Sequence, residues 1–259
     1  MKKVLLVFIF LLTFLSFVSC ETQGTNNKKD IIILGKYPQK EIIDASIINE
    51  LKLLSPNELD RLEYNSNEYI CVDGKYYELA PIEWEKIKIG KDTLYISTAI
   101  LDAQVFLKEE YVKVIGNSES IKPGVPSGTY SNDYVYSDLR EWLNDNFLNY
   151  AFTKDEISTL SKVTIDGLND YVYTLSKEDT ANLKTVPTKV TDYAKAMGCD
   201  VFTEADGYIN FVGNGFYWLR NPNEIHRYRV FAINPEGVVY EYVDCYYNGI
   251  GVRPVIKLK

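Results

Sequence analysis

Hydrophobic positions change period twice along the chain, and the changes mark out three stretches. A short helix over Ile47 to Leu54 precedes the first. EYICVDGKYYEL (Glu68 to Leu79) then places two β-prone runs about Asp73-Gly74, a dipeptide that tolerates the positive φ of a tight hairpin. Ile82 to Ile89 alternates through Trp84 and slips phase at Lys86-Ile87, as a strand with a bulge would, and Leu94 to Ser97 continues the sheet. In the middle stretch the period lengthens. Leu139, Trp142, Leu143 and Phe147 share one helical face behind Ser137, which can cap it. Thr153 and Glu156 have capping-box spacing ahead of Ile157 and Leu160, and Ser176 and Thr191 cap two more short helices, the last stopped at Gly198. After residue 210 strands return over Phe216 to Leu219, Tyr228 to Ile233, Val238 to Tyr242 and Val252 to Leu258. Asn234-Pro235-Glu236-Gly237 supplies turn chemistry between the second and third of them.

Strands, then helices, then strands argue for an α+β fold rather than an alternating α/β one. The expected architecture is a single domain over residues 31–259, with an irregular, mostly antiparallel sheet and a central block of short helices. No repeat and no internal boundary divides it.

Ahead of the domain stands MKKVLLVFIFLLTFLSFVSC. Lys2 and Lys3 precede an apolar run from Val4 to Val18, and the small residue Ser19 comes just before Cys20. The run is short for a spanning helix, which needs roughly twenty residues. This segment resembles a bacterial lipoprotein signal peptide, with Phe17 where Leu is commoner. The resemblance implies removal of residues 1–19, lipidation of Cys20, and a membrane partner held through that lipid. Residues 20–30, short and polar after the cysteine, then form a flexible tether. The expected location is the bacterial cell envelope.

The formal charge is -8, and loss of Lys2 and Lys3 makes the chain more acidic still. So acidic a chain lacks the Lys/Arg stripes that neutralise phosphates, which excludes nucleic acid as a partner. Beyond Cys20 only Cys71, Cys199 and Cys245 remain, an odd number at wide spacing. That is not a disulfide framework, and leaves either one bridge with a free thiol or, the favoured reading, three reduced small apolar residues. His226 is the single histidine. Clustered-histidine metal sites are thereby removed, and no cofactor or metal is expected.

Seven segments together resemble the bacterial family catalogued as domain of unknown function 6273. They are LGKYPQ (Leu34 to Gln39), PIEWEKI (Pro81 to Ile87), YISTAILDAQVF (Tyr95 to Phe106), SDLREWLNDNFLNYAFTKDE (Ser137 to Glu156), DYAKAMG (Asp192 to Gly198), YWLRNP (Tyr217 to Pro222) and GVRPVIKL (Gly251 to Leu258). The resemblance implies no particular chemistry. Asn221 stands where the family usually has Ser. More widely, an aromatic strand ending in a polar loop, a hairpin and a last strand bearing V-R-P-V resemble the end of C-type-lectin-like domains of the formylglycine-generating-enzyme type. That likeness implies a terminal strand paired with early strands.

Arg220 and Arg253 sit among apolar strand residues, where an arginine usually holds strands together through a buried acid or loop carbonyls. Asn221-Pro222-Asn223 lacks the companion carboxylates of a calcium site and reads as a turn, and Asp200, Glu204 and Asp206 read as a solvated loop. VVYEYVDCYYNG (Val238 to Gly249) puts Tyr240 and Tyr242 on one face and Tyr246 and Tyr247 in the loop before the last strand. Asn221, Asn223, Arg227, Tyr246 and Tyr247 are the candidate ligand-binding residues, offering amide, guanidinium and aromatic contacts. The reading is a membrane-anchored lipoprotein whose domain binds a glycan or protein ligand without catalysis. A hydrolase acting on polysaccharide or peptide and a structural envelope protein are the alternatives.

Overall fold

The computed structural model describes residues 30–113, 119–181, 188–207 and 209–259. Its first strand, β1 (Ile31–Glu41), precedes helix α1 (Ala45–Leu51), whose first turn is capped by the Asp44 carboxylate. Three strands follow as successive hairpins: β2 (Arg61–Tyr64), β3 (Asn67–Val72) and the 15-residue β4 (Lys75–Ile89). Asp73 and Gly74, both at positive φ, make the expected turn between β3 and β4. The next strand is β5 (Asp92–Ser97). β1 runs along one edge of β4, while β3 and β5 share the other edge at its two ends.

No bulge interrupts β4 at Lys86-Ile87. Its register with β5 runs unbroken from Trp84 opposite Ser97 to Ile89 opposite Asp92. The phase slip arises because Trp84 is covered on one face and Ile87 on the other, so burial changes sides without an extra residue. The irregularities lie in β1, between Ile33 and Lys36 and between Pro38 and Lys40. Gly35 sits in the first of them at φ +71°, where a Cβ would fall 2.7 Å from the Ala151 carbonyl oxygen, so only glycine fits.

After the two-residue β6 (Asp102–Ala103) the chain turns helical. α2 (Asp138–Trp142) is capped by the Ser137 hydroxyl, passes through a π-turn over Leu143–Phe147 and continues as α3 (Leu148–Ala151). α4 (Lys154–Thr159) carries the Thr153–Glu156 capping box, and Glu156 also accepts from the Gly35 amide, tying this helix to β1. Caps at Ser176 and Thr191 open α5 (Lys177–Thr180) and α6 (Asp192–Ala196). Three strands interrupt this block: β7 (Val163–Ile165), β8 (Leu168–Asp170) and β9 (Val172–Tyr173). Asp166-Gly167, at the tip of β7 and β8, carries the same turn signal as Asp73-Gly74.

The last strands are β10 (Tyr217–Pro222), β11 (Arg229–Ile233), β12 (Val239–Asp244), β13 (Gly251–Val252) and β14 (Val255–Ile256). β13 and β14 are not one strand. β13 lies between β10 and β6 in a five-stranded sheet ordered β12-β11-β10-β13-β6, while β14 lies between β5 and β9 in the seven-stranded sheet. Pro254 has no amide hydrogen to continue a ladder, so the chain breaks there and passes from one sheet to the other. Gly251 permits the crossing, because a Cβ on it would meet Ile100 Cγ2 at 2.2 Å.

Both sheets and the helices bury one continuous core that includes Trp84, Phe106, Leu139, Phe147, Trp218 and Ile256. A smaller cluster of Leu51, Leu62, Tyr69 and Tyr76 lies under α1. Among the described residues no helix is long and apolar enough to cross a membrane.

Candidate functional site

Strand alternation on β12 turns Val243 inward and Tyr240 and Tyr242 outward, onto the face that Asp244 also edges. Tyr240, Tyr242 and Tyr247 are 43 %, 47 % and 44 % exposed, high for side chains of this size. Phe216, just ahead of β10, packs against Tyr240 with ring centroids 5.8 Å apart, and Tyr240 meets Tyr242 at 6.0 Å; both contacts are edge-on. Arg229 lies opposite Asp244 in the ladder. Its Nε donates to Asp244 Oδ1 at 2.9 Å, while its guanidinium sits over the rings of Tyr228 and Tyr242. Tyr247 donates its hydroxyl to Asp200.

All of these side chains except Tyr228 line an open groove of about 310 Å³, together with Val243 and Ile250. The Asp200 carboxylate, through its hydrogen bond and charge, raises the Tyr247 hydroxyl above its ordinary pKa, and Glu241 does the same for Tyr242. Both hydroxyls therefore stay protonated at neutral pH, with the proton of each directed at its carboxylate and the oxygen lone pairs left to accept from a ligand. Asp244 likewise holds Arg229 firmly charged. Aromatic faces beside fixed donors and acceptors suit a ligand with both an apolar face and hydroxyl or amide groups.

The residues singled out from sequence divide. Tyr247 lines the groove, and Tyr246 stands beside it with its hydroxyl donating to Asp244 at 3.3 Å and its ring packed against the core. Asn223 is buried. Its Nδ2 donates to the Glu241 carbonyl and its Oδ1 accepts from the amides of Ile225 and His226, so the amide is spent closing a turn and offers nothing to a ligand. Asn221 reaches away from the groove to α5, accepting from the Lys177 amide at 2.5 Å and donating to Glu178. Arg227 stacks over Tyr130, 4.6 Å from its centroid. Asn221 and Asn223 thus use their amides in bonds within the fold, and neither lines the groove.

Arg220 donates from Nη1 to the Thr174 carbonyl at 2.8 Å and to Asp179 at 2.7 Å, joining β10 to β9 and α5. Buried Arg253, at the crossing between sheets, donates to the Ser97 carbonyl at 2.8 Å and to the Tyr217 hydroxyl at 3.3 Å. Its partners are a carbonyl and a ring, whereas Arg140 grips the buried Asp170 carboxylate with two nitrogens. Cys71, Cys199 and Cys245 are free thiols, and burial pushes Cys199 and Cys245 each up to about 12. Cys20 lies outside the described residues.

Sequence reasoning missed Arg229, Asp244, Asp200 and Phe216. Alternation in VYEYVD marked Tyr240 and Tyr242, but nothing local in the sequence tells that Asp200 and Phe216 come to the same groove.

One acid is strongly perturbed and stands apart from this surface. Asp102 is buried, and burial pushes its carboxyl up to about 6 against the opposing effect of hydrogen bonds from Tyr37, Gln104 and the Ala103 amide. It links β6 of one sheet to β1 of the other. Among the described residues no group of three or more His, Cys, Asp or Glu side chains is placed to hold a metal ion.

The two larger sheets share one core, and the five-stranded one presents an aromatic groove at its β12 edge, which describes an α+β domain with a surface suited to binding. The chain belongs to the family of the domain of unknown function 6273, whose model matches residues 102–259. No curated protein and no solved structure matches the chain. The matched span starts at Asp102, so it takes in the five-stranded sheet, α2 to α6 and β14, while LGKYPQ and PIEWEKI lie ahead of it.

Proposed function

We propose that this protein is a bacterial envelope lipoprotein, anchored through Cys20, whose domain binds a glycan without cleaving it. The observation that carries the reading is the row of exposed tyrosines, Tyr240, Tyr242 and Tyr247, beside the fixed Arg229–Asp244 pair. Sugar rings present C–H faces that stack on aromatic rings, and hydroxyls that match an arginine and a carboxylate held side by side. A protein ligand is the second form of the same reading, since exposed tyrosine also anchors protein surfaces. The acids of the groove favour binding over hydrolysis. Asp244 is engaged by Arg229 and Asp200 by Tyr247, so neither stands free to transfer a proton. Pairing of β14 with β5 supports the lectin-like element of the proposal, in which the terminal strand joins an early one.

A glycan and protein interaction screen with the full chain, followed by calorimetry on any hit, tests this. The double variant Tyr240→Ala with Tyr242→Ala removes two exposed rings and should keep the fold. It is expected to weaken binding by about 2 kcal/mol, roughly thirtyfold. Unchanged affinity in the folded variant would place the site elsewhere.

A further inference from the structure

A second cavity, of about 220 Å³, shares no lining residue with the aromatic groove. One wall is apolar, built from Ile89 and Leu94 at the β4–β5 tip and Val163 and Ile165 of β7. Arg220, Tyr173, Asp92 and Asp166 also line the cavity. Two details make it a built site rather than a dent. The first is that Arg220 is pinned to Thr174 and Asp179 through Nη1 for both bonds, which leaves the Nε–Nη2 edge of the guanidinium for the cavity. The second is that Tyr173, only 2 % exposed and with its ring centroid 5.9 Å from that guanidinium, has a buried hydroxyl with no hydrogen-bond partner among the described residues. A buried hydroxyl without a partner is unfavourable, and a ligand acceptor would relieve it.

The charge pattern narrows the ligand. A bare anion meets Arg220 but also three aspartates, Asp92, Asp166 and Asp179. A bare cation meets those acids but leaves the guanidinium edge unused. Asp179 is already paired with Arg220, and Asp92 with Lys257, so Asp166, exposed at the β7–β8 turn, is the acid left for a ligand. An arginine has five donors and accommodates a second carboxylate. The volume lies below the roughly 300–1,000 Å³ of drug-sized sites, so the occupant is small.

We propose that this cavity binds a small zwitterion of the α-amino-acid type. The ligand carboxylate takes the Arg220 edge with the Tyr173 hydroxyl as second donor. Its ammonium faces Asp166, and an apolar side chain lies against Ile89, Leu94, Val163 and Ile165.

The test is calorimetry and thermal shift on the full chain with leucine, N-acetylleucine and leucinamide as probes. Leucine should bind and raise the melting temperature, and each blocked derivative should bind at least about tenfold more weakly, having lost one charged contact. Arg220→Ala risks the fold, so Tyr173→Phe and Asp166→Asn are the informative variants. Each should weaken leucine several-fold while leaving the melting temperature of the ligand-free protein near wild type. N-acetylleucine binding as well as leucine would overturn the zwitterion, and no response to leucine at millimolar concentration would overturn the site. Leucine affinity unchanged in both variants would do the same.

Discussion

Asp102→Asn is the substitution whose effect follows most directly from the structure. The carboxyl is fully enclosed, accepts from the Tyr37 hydroxyl, the Ala103 amide and Gln104, and is paired with no cation among the described residues. Burial penalises the charged form more than those bonds favour it, so the folded pKa rises from 3.8 to about 6. The folded state therefore holds the proton more tightly than the unfolded chain does. Its contribution is fully present below about pH 4 and is lost as pH rises through about 6, the reverse of an ion-paired carboxylate. A rise from 3.8 to about 6 corresponds to about 3 kcal/mol. Asparagine keeps the shape and an acceptor oxygen but has nothing to titrate. Urea unfolding of both proteins from pH 4 to pH 8 reads the difference. Carboxyls held below their ordinary range, such as Glu68, Glu156 and Asp192, lose stability as pH falls, but they are present in both proteins and cancel. Relative to wild type, the variant should gain about 3 kcal/mol between the acidic and neutral ends. A difference independent of pH would refute the reasoning and show that Asp102 titrates normally.

Arg253→Met retains much of the stem but removes the charged bond to the Ser97 carbonyl and leaves that oxygen buried, so a loss of about 2 to 3 kcal/mol is expected in chemical denaturation. Wild-type stability with lost ligand binding would reassign Arg253 to a site. A fragment of residues 102–259 should fail to fold, because β14 would lose β5, and Asp102 would lose Tyr37; a cooperative unfolding transition in that fragment would contradict this. Cys20→Ala should abolish labelling by a palmitate analogue and release the protein from the membrane fraction, and labelling that persists would remove the anchor from the proposal.

What could be read locally was read well. Capping boxes, the Asp73-Gly74 hairpin and the strand–helix–strand order depend on residues a few positions apart, and the structure has them at Thr153, Ser176 and Lys75. The Asp166-Gly167 hairpin carries the same signal within the central helical block. Apparent errors came where a short pattern had two tertiary causes. The slip at Lys86-Ile87 is a change of covered face, and Val252 to Leu258 is two strands because Arg253-Pro254 spans a boundary between sheets.

The fold class, the caps and turns, the alternation that puts Tyr240 and Tyr242 on one face and the three-cysteine, one-histidine chemistry are legible in the sequence, because all of them rest on residue type and near-neighbour spacing. Only the tertiary structure decided which groups meet. Asp200 and Phe216 join Tyr240 across a groove, Asn223 is consumed by its own loop, Arg140 rather than Arg253 holds the buried carboxylate, and Asp102 is sealed against Tyr37. These long-range pairings, from Asn223–Glu241 at 18 positions to Tyr37–Asp102 at 65, are selected by the packing of sheets on one core, which no local pattern encodes.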